Sequence, residues 1–188
     1  MEPETFQEFG CALLNFDVPA IMRLLQSLSA DDVQFSLRAL LSGALVGPNI
    51  DPTNILCAGD IADQHLRMPA QAIVLYDAAL QHMDENRESI ASDSDCAAAS
   101  LNLIDLLRKQ RDRAGWLNAV KRAARMPIKR PEQKIQIAYW LHQAGESGLA
   151  FKLYQQGMEA GASTVAIAMG VSEADLIQMG EELADLSQ

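Results

Sequence analysis

The chain is short of the residues that build sheets. It holds seven Val and three Thr against 28 Ala and 24 Leu. Ala and Leu lose least on entering a helix, whereas β-branched residues favour strands. The Asx-Gly pairs that start tight hairpins are missing as well, so the chain reads as all-α. No apolar run approaches the roughly 20 residues a membrane-spanning helix needs. No basic-then-apolar leader follows Met1, and a cytoplasmic location is expected. Cysteine is limited to Cys11, Cys57 and Cys96, odd in number and widely spaced. That excludes a disulfide framework and a CxxC metal knuckle.

Local signatures of catalysis are also missing. There is no HExxH, GxSxG or glycine-rich phosphate loop, and the three histidines, His65, His82 and His142, are scattered. Asp60 and Asp63 share a helical face, but an α-helical register turns His65 away from them, so they make no metal site by themselves. Gly145-Glu-Ser-Gly148 lacks the lysine of a P-loop and reads as a turn. Cys57 and Cys96 lie among alanines as small core residues, and His142 belongs at a helix end. No catalytic residue, cofactor or metal ligand is therefore expected.

With 49% apolar residues in 188, the chain has material for one domain or an elongated array of repeats. Proline and glycine stand between periodic segments. Pro19, Pro52, Pro69 and Pro131 suit the first helical turn, where a missing N–H costs nothing. Ser29-x-x-Asp32 and Ser172-x-x-Asp175 resemble capping boxes. Stripes such as Phe6, Phe9, Leu13, Phe16 and Ile73, Tyr76, Leu80, Met83 have helical period. The spacing predicts helices over roughly 4–16, 18–28, 30–45, 53–66, 69–84, 96–112, 115–126, 132–143, 147–160, 163–169 and 173–186, joined as antiparallel hairpins. The break at 46–53 suggests an N-terminal helical unit (1–46) before repeat-like hairpins (53–162) and a C-terminal hairpin (163–188), together one structural domain, and the polar, acidic break at 85–94 reads as a mobile loop within the second.

Two helices repeat Ala-x-x-x-Tyr-x-x-small: Ala72, Tyr76, Ala79 and Ala150, Tyr154, Gly157. This resembles the second helix of a tetratricopeptide repeat, in about 56–83 and 138–170. A third segment, Leu103–Ala124, keeps only Val120 and Ala123 of the pattern. From Ala150 to Gly170 the spacing is also similar to the Sel-one-like repeat. The resemblance implies hairpins stacked as a short α-solenoid that binds peptides; the alternative is an irregular helical bundle. Tyr76 and Tyr154 are expected to be buried at hairpin contacts.

Near the C-terminus, Ala166, Gly170 and Leu176 are spaced like a helix-turn-helix. Charge opposes a DNA-binding reading. No Lys or Arg follows Lys152, and Glu173 and Asp175 stand where a base-reading side chain belongs.

Charge is distributed unevenly. Ten of the fifteen bases and only two of the 25 acids fall between Arg108 and Lys134, giving +8 there and −18 elsewhere. Arg108 with Arg111, and Lys121 with Arg125, have the spacing of one helix face. Arg108, Arg111, Lys121, Arg122, Arg125, Lys129 and Arg130 are the candidate partner-binding residues, on one continuous basic hairpin, with the acidic segment 84–95 as a candidate internal partner. An acidic protein or peptide segment is the expected ligand. The expected role is a non-catalytic adaptor, scaffold or secretion-chaperone-like protein. The alternative is a nucleic-acid-associated regulator using the C-terminal segment, disfavoured by a net charge of −10. Homo-oligomerisation is left open.

Overall fold

The computed structural model describes residues 3–42, 50–85, 93–126 and 128–186. Among them are eleven α-helices and no strand: α1 (Pro3–Leu14), α2 (Val18–Ser27), α3 (Ala30–Leu41), α4 (Pro52–Asp60), α5 (Pro69–Glu85), α6 (Asp93–Lys109), α7 (Arg113–Ala123), α8 (Pro131–Gln143), α9 (Ser147–Met158), α10 (Ala162–Met169) and α11 (Glu173–Leu186). One π-helical turn, Ile61–His65, continues α4. No helix among the described residues is long and apolar enough to cross a membrane.

The helix starts follow from local chemistry. Asp17, Asp51 and Asp112 accept hydrogen bonds from the backbone N–H groups of Ala20, Thr53 and Gly115 at 3.1, 2.8 and 2.9 Å. These bonds satisfy donors that the first turn leaves unpaired. Ser29 and Asp32 form a reciprocal capping box, and Ser172 and Asp175 exchange the same pair of bonds. The Ser29 bonds hold the Asp32 carboxyl below the usual carboxylate range. Pro52, Pro69 and Pro131 open their helices, and Pro19 is the second residue of α2.

The chain packs into two compact units, Met1–Leu106 and Leu107–Gln188. The division falls within α6, whereas the sequence suggested breaks near 46–53 and at 162–163. Both loops expected there and at 85–94 lie mostly outside the described residues. In the first unit α4 and α5 form the most extensive helix pair, α3 lies on α5, and α1 touches α2, α3 and α4. Phe9, Leu13, Ile21, Leu25, Leu37, Ile55, Leu75 and Tyr76 are among its large, fully buried side chains. The Tyr76 ring crosses Gly59 of α4, where an added Cβ would sit 2.9 Å from two ring carbons. Its hydroxyl donates to Asp60 Oδ1 at 2.5 Å, and Asn102 Nδ2 of α6 lies 3.4 Å from both oxygens. Burial, reinforced by the Asp60 carboxylate, pushes the Tyr76 hydroxyl far above the ordinary tyrosine range.

In the second unit α8 and α9 form the most extensive pair, α11 packs on α9, and α10 touches α8, α9 and α11. Tyr154, also buried, crosses Gly180 of α11, and its hydroxyl donates to the Leu176 carbonyl at 2.7 Å. At Gly157 of α9 an added Cβ would sit 2.6 Å from Ile135 Cδ1 and 3.1 Å from the Pro131 carbonyl oxygen of α8. Burial, with Glu181 nearby, raises the Tyr154 pKa as well.

A register relates two successive helix pairs. α6 ends at Lys109 and α7 spans Arg113–Ala123; α8 ends at Gln143 and α9 spans Ser147–Met158. The end of α8 and the start of α9 lie 34 residues after their counterparts and the end of α9 lies 35 after, whereas α8 starts 38 residues after α6. Burial follows the same step. Leu103, Ile104, Leu106, Leu107, Ala119, Val120 and Ala123 are buried, as are Ile137, Ala138, Trp140, Leu141, Leu153, Tyr154 and Gly157. Both connections turn through a left-handed residue, Arg111 (φ +59) and Gly145 (φ +81). Each is closed by the same bond, Asp112 N–H to Leu107 C=O and Glu146 N–H to Leu141 C=O.

Two predictions follow from these tyrosines. Gly180→Ala should lower unfolding free energy by about 1–3 kcal/mol in urea titrations, because the Tyr154 ring, held by its hydroxyl bond, occupies the Cβ position. Helix propensity alone would give the opposite sign, a gain of about 1 kcal/mol. Tyr76 binds its proton more tightly folded than unfolded. The stabilisation is therefore complete below about pH 10 and is lost as pH rises above it, by up to about 1.4 kcal/mol per pH unit. Tyr76→Phe should flatten that alkaline decline in stability measured from pH 9 to 11.

Candidate functional site

The Arg108–Lys134 segment forms two basic clusters at opposite ends of α7. Arg108, Lys109, Arg111 and Arg113 gather around the α6–α7 turn. Lys121, Arg122, Arg125, Lys129 and Arg130 surround the exit of α7 and the connection to α8. An 11-residue helix separates them by about 16 Å. α6 ends at Lys109 and α7 at Ala123. Arg111 and Arg125 therefore lie outside the helices. The left-handed Arg111 stops α6 three residues before its expected end. Arg108, Arg111, Arg125, Lys129 and Arg130 are exposed, and Lys121 and Arg122 are half-buried. Buried Ile128 anchors the connection that carries Lys129 and Arg130.

Some of this charge serves the fold. Arg108 and Lys109 end α6, and Lys121 and Arg122 end α7, where cations favour the helix dipole. Lys121 Nζ also lies 2.6 Å from Glu146 Oε1, joining α7 to the α8–α9 turn. Both groups are more than one-third exposed, so the pair adds at most about 1 kcal/mol. Segment 84–95 lies outside the described side chains beyond Asp84.

Three other arginines occupy positions that the fold disfavours. Arg111 is in the left-handed region, which costs a non-glycine residue about 1–2 kcal/mol. Arg113 is the first residue of α7, at the positive end of the helix dipole. Arg130 is the N-cap of α8 and makes no capping bond, where Asp or Ser would. Arg113 was not among the candidate residues picked out by spacing; its place at the helix start is what marks it.

Gly170 is left-handed (φ +67), and Ala166 and Leu176 are buried. Glu173 and Asp175, at the start of α11, are exposed, so the face a DNA-reading helix would present is acidic.

The π turn alters one sequence reading. Its wider turn bonds Leu66 N–H to Ile61 C=O, five residues back. As a result Asp60 and His65 line one open cavity of about 340 Å³ with Cys57, Phe16 and Met22, although an α register separates them. Phe16 there is itself left-handed (φ +49). No group of three His, Cys, Asp or Glu side chains able to hold a metal occurs among the described residues. Trp140 is buried, and Trp116 is half-buried with its indole N–H unpartnered.

No protein-family model, curated protein or solved structure matches the chain.

The misplaced arginines generate a stability prediction. Replacing Arg111 with Gly and Arg130 with Asp should raise unfolding free energy by about 1–3 kcal/mol in total, from relieved backbone strain and a new cap. Chemical denaturation of the double variant checks this; an unchanged or lowered midpoint contradicts it.

Proposed function

We propose that the protein is a non-catalytic interaction module, an adaptor, scaffold or chaperone-like protein of the cytoplasm. Its ligand is an acidic segment of a protein partner, bound by the two basic clusters flanking α7. The observation that carries this reading is the placement of Arg111, Arg113 and Arg130 where the fold would be more stable without them. Local choices that oppose stability concentrate at functional sites. The 34-residue register of α6–α7 and α8–α9 and the tyrosine-bearing hairpins α4–α5 and α8–α9 support a tetratricopeptide-like stack of hairpins.

The two clusters set the ligand's form. Spanning about 16 Å takes about five extended residues, so acidic side chains should recur at both ends of such a stretch. Exposed guanidinium groups suit bidentate contacts to carboxylates. A second reading, nucleic-acid regulation, draws on the turn geometry at Gly170 but meets an acidic α11.

The test uses fluorescein-labelled ten-residue peptides, one rich in Glu and one with Gln in its place, together with a labelled DNA duplex. The Glu peptide should bind, weaken as salt rises from about 50 to 200 mM, and lose at least about tenfold in affinity with Arg111→Gly/Arg130→Asp. Because that variant is expected to fold more stably, lost binding cannot be ascribed to unfolding. Equal binding of the Gln peptide, or no loss in the variant, refutes the acidic-segment reading. Duplex binding that falls about 10³–10⁵-fold over the same salt range favours the regulator instead.

A further inference from the structure

The second unit carries another surface, unlike the basic clusters in both polarity and sign. An open groove of about 510 Å³ runs between α8, α10 and α11. Its apolar lining comes from Ile135, Tyr139, Met169, Val171, Leu176 and Met179. Tyr139 is 45% exposed and Val171 41%, so apolar surface stays open to water there. His142 lies in the same wall.

The charged residues lining the groove are acids, Asp175 and Glu182. Beyond Lys152 the chain has no Lys or Arg, and α11 also exposes Glu173, Glu181 and Asp185. We propose that this groove docks a basic amphipathic helix of a partner protein, with the partner's apolar stripe on the lining and its Lys and Arg residues over the acidic rim.

Complementarity of charge selects this occupant. An acidic helix would be repelled, and a neutral apolar one would leave the rim unpaired. A second copy of the chain supplies a poor ligand. Its basic segment turns Leu107, Val120, Ala123 and Ile128 into its own core, so it would bring charge without an apolar stripe. The described residues around the groove are helical and offer no strand edge for β-augmentation, which leaves the helix-in-groove mode with anchors at i, i+3, i+4 and i+7. Met169 and Met179 give the lining flexible, polarisable side chains that adjust to the anchors.

The experiment uses the full chain and a labelled 16-residue helical peptide, with Leu at the four anchor positions and Lys or Arg elsewhere. Two controls replace its bases with Glu or its leucines with Ser. Anisotropy should show the basic amphipathic peptide binding at least about tenfold tighter than either control. Tyr139→Ala and Glu182→Lys, both at exposed positions, should each weaken it at least about fivefold, with circular dichroism and melting unchanged. Arg111→Gly/Arg130→Asp should leave it unaffected, which separates this groove from the basic clusters. The proposal is overturned if the peptide fails to bind below about 100 µM, or if the Ser control binds equally well. It is also overturned if neither groove variant matters, or if sedimentation shows a dimer that Tyr139→Ala dissociates.

Discussion

A tyrosine crossing a glycine is the contact on which both units depend. Aromatic residues make up only 5% of the chain, so few side chains are large enough to fix how two helices lie. Tyr76 passes over Gly59 and ends on Asp60 of the same helix; Tyr154 passes over Gly180 and ends on the Leu176 carbonyl, one turn earlier in α11. In each case the missing Cβ admits the ring, and the hydroxyl bond then fixes where the ring stops. Dispersion supplies the attraction and the polar tip supplies the register. The device is not used identically in the two units. Tyr76 grips the helix before it in sequence, whereas Tyr154 grips α11, two helices further on.

Local signals were legible because they act over three or four residues. Asp and Ser caps, prolines in first turns and apolar stripes located the eleven helices of the described residues. The burial of Tyr76 and Tyr154 followed from the same periodicity. What resisted reading was geometry set by single backbone choices. Nothing in the composition of Ile61–His65 announces a π turn, so His65 was placed away from Asp60. Nothing marks Arg111 as left-handed, since that conformation normally belongs to glycine, so α6 was drawn three residues too long. The 34-residue register was hidden for a related reason. Its equivalent positions pair Val120 with Tyr154, Ala123 with Gly157 and Arg111 with Gly145. They keep burial and backbone conformation while changing residue type, and a pattern of residue names cannot see that.

The basic clusters illustrate how charge can be sorted by what the fold asks of it. A lysine ending a helix, or facing Glu146, needs no explanation beyond stability. An arginine in a left-handed turn, at the first residue of a helix, or at an uncapped N-cap does need one, because a commoner residue would serve the fold better. That comparison uses the local structure of each position, which spacing alone does not supply. It also explains why Arg113 joins the candidate set only once α7 is known to start there.

The distribution of charge decides what length of polyanion the chain tolerates. The first unit holds four bases and sixteen acids, and the second eleven and nine. All of the net negative charge therefore belongs to the first unit, at −12, while the second, at +2, is close to neutral with its signs separated along the chain. At physiological ionic strength a charge is felt over about 8 Å. A short acidic peptide on the α7 clusters meets mainly arginine and lysine. A long duplex reaches well beyond that distance and meets α11 or the acidic first unit wherever its path crosses them. The same screening lets the acidic groove accept bases although ten lie in the same unit between Arg108 and Lys134. Opposite preferences can then coexist in about 80 residues, provided each ligand is short enough to sense one surface at a time.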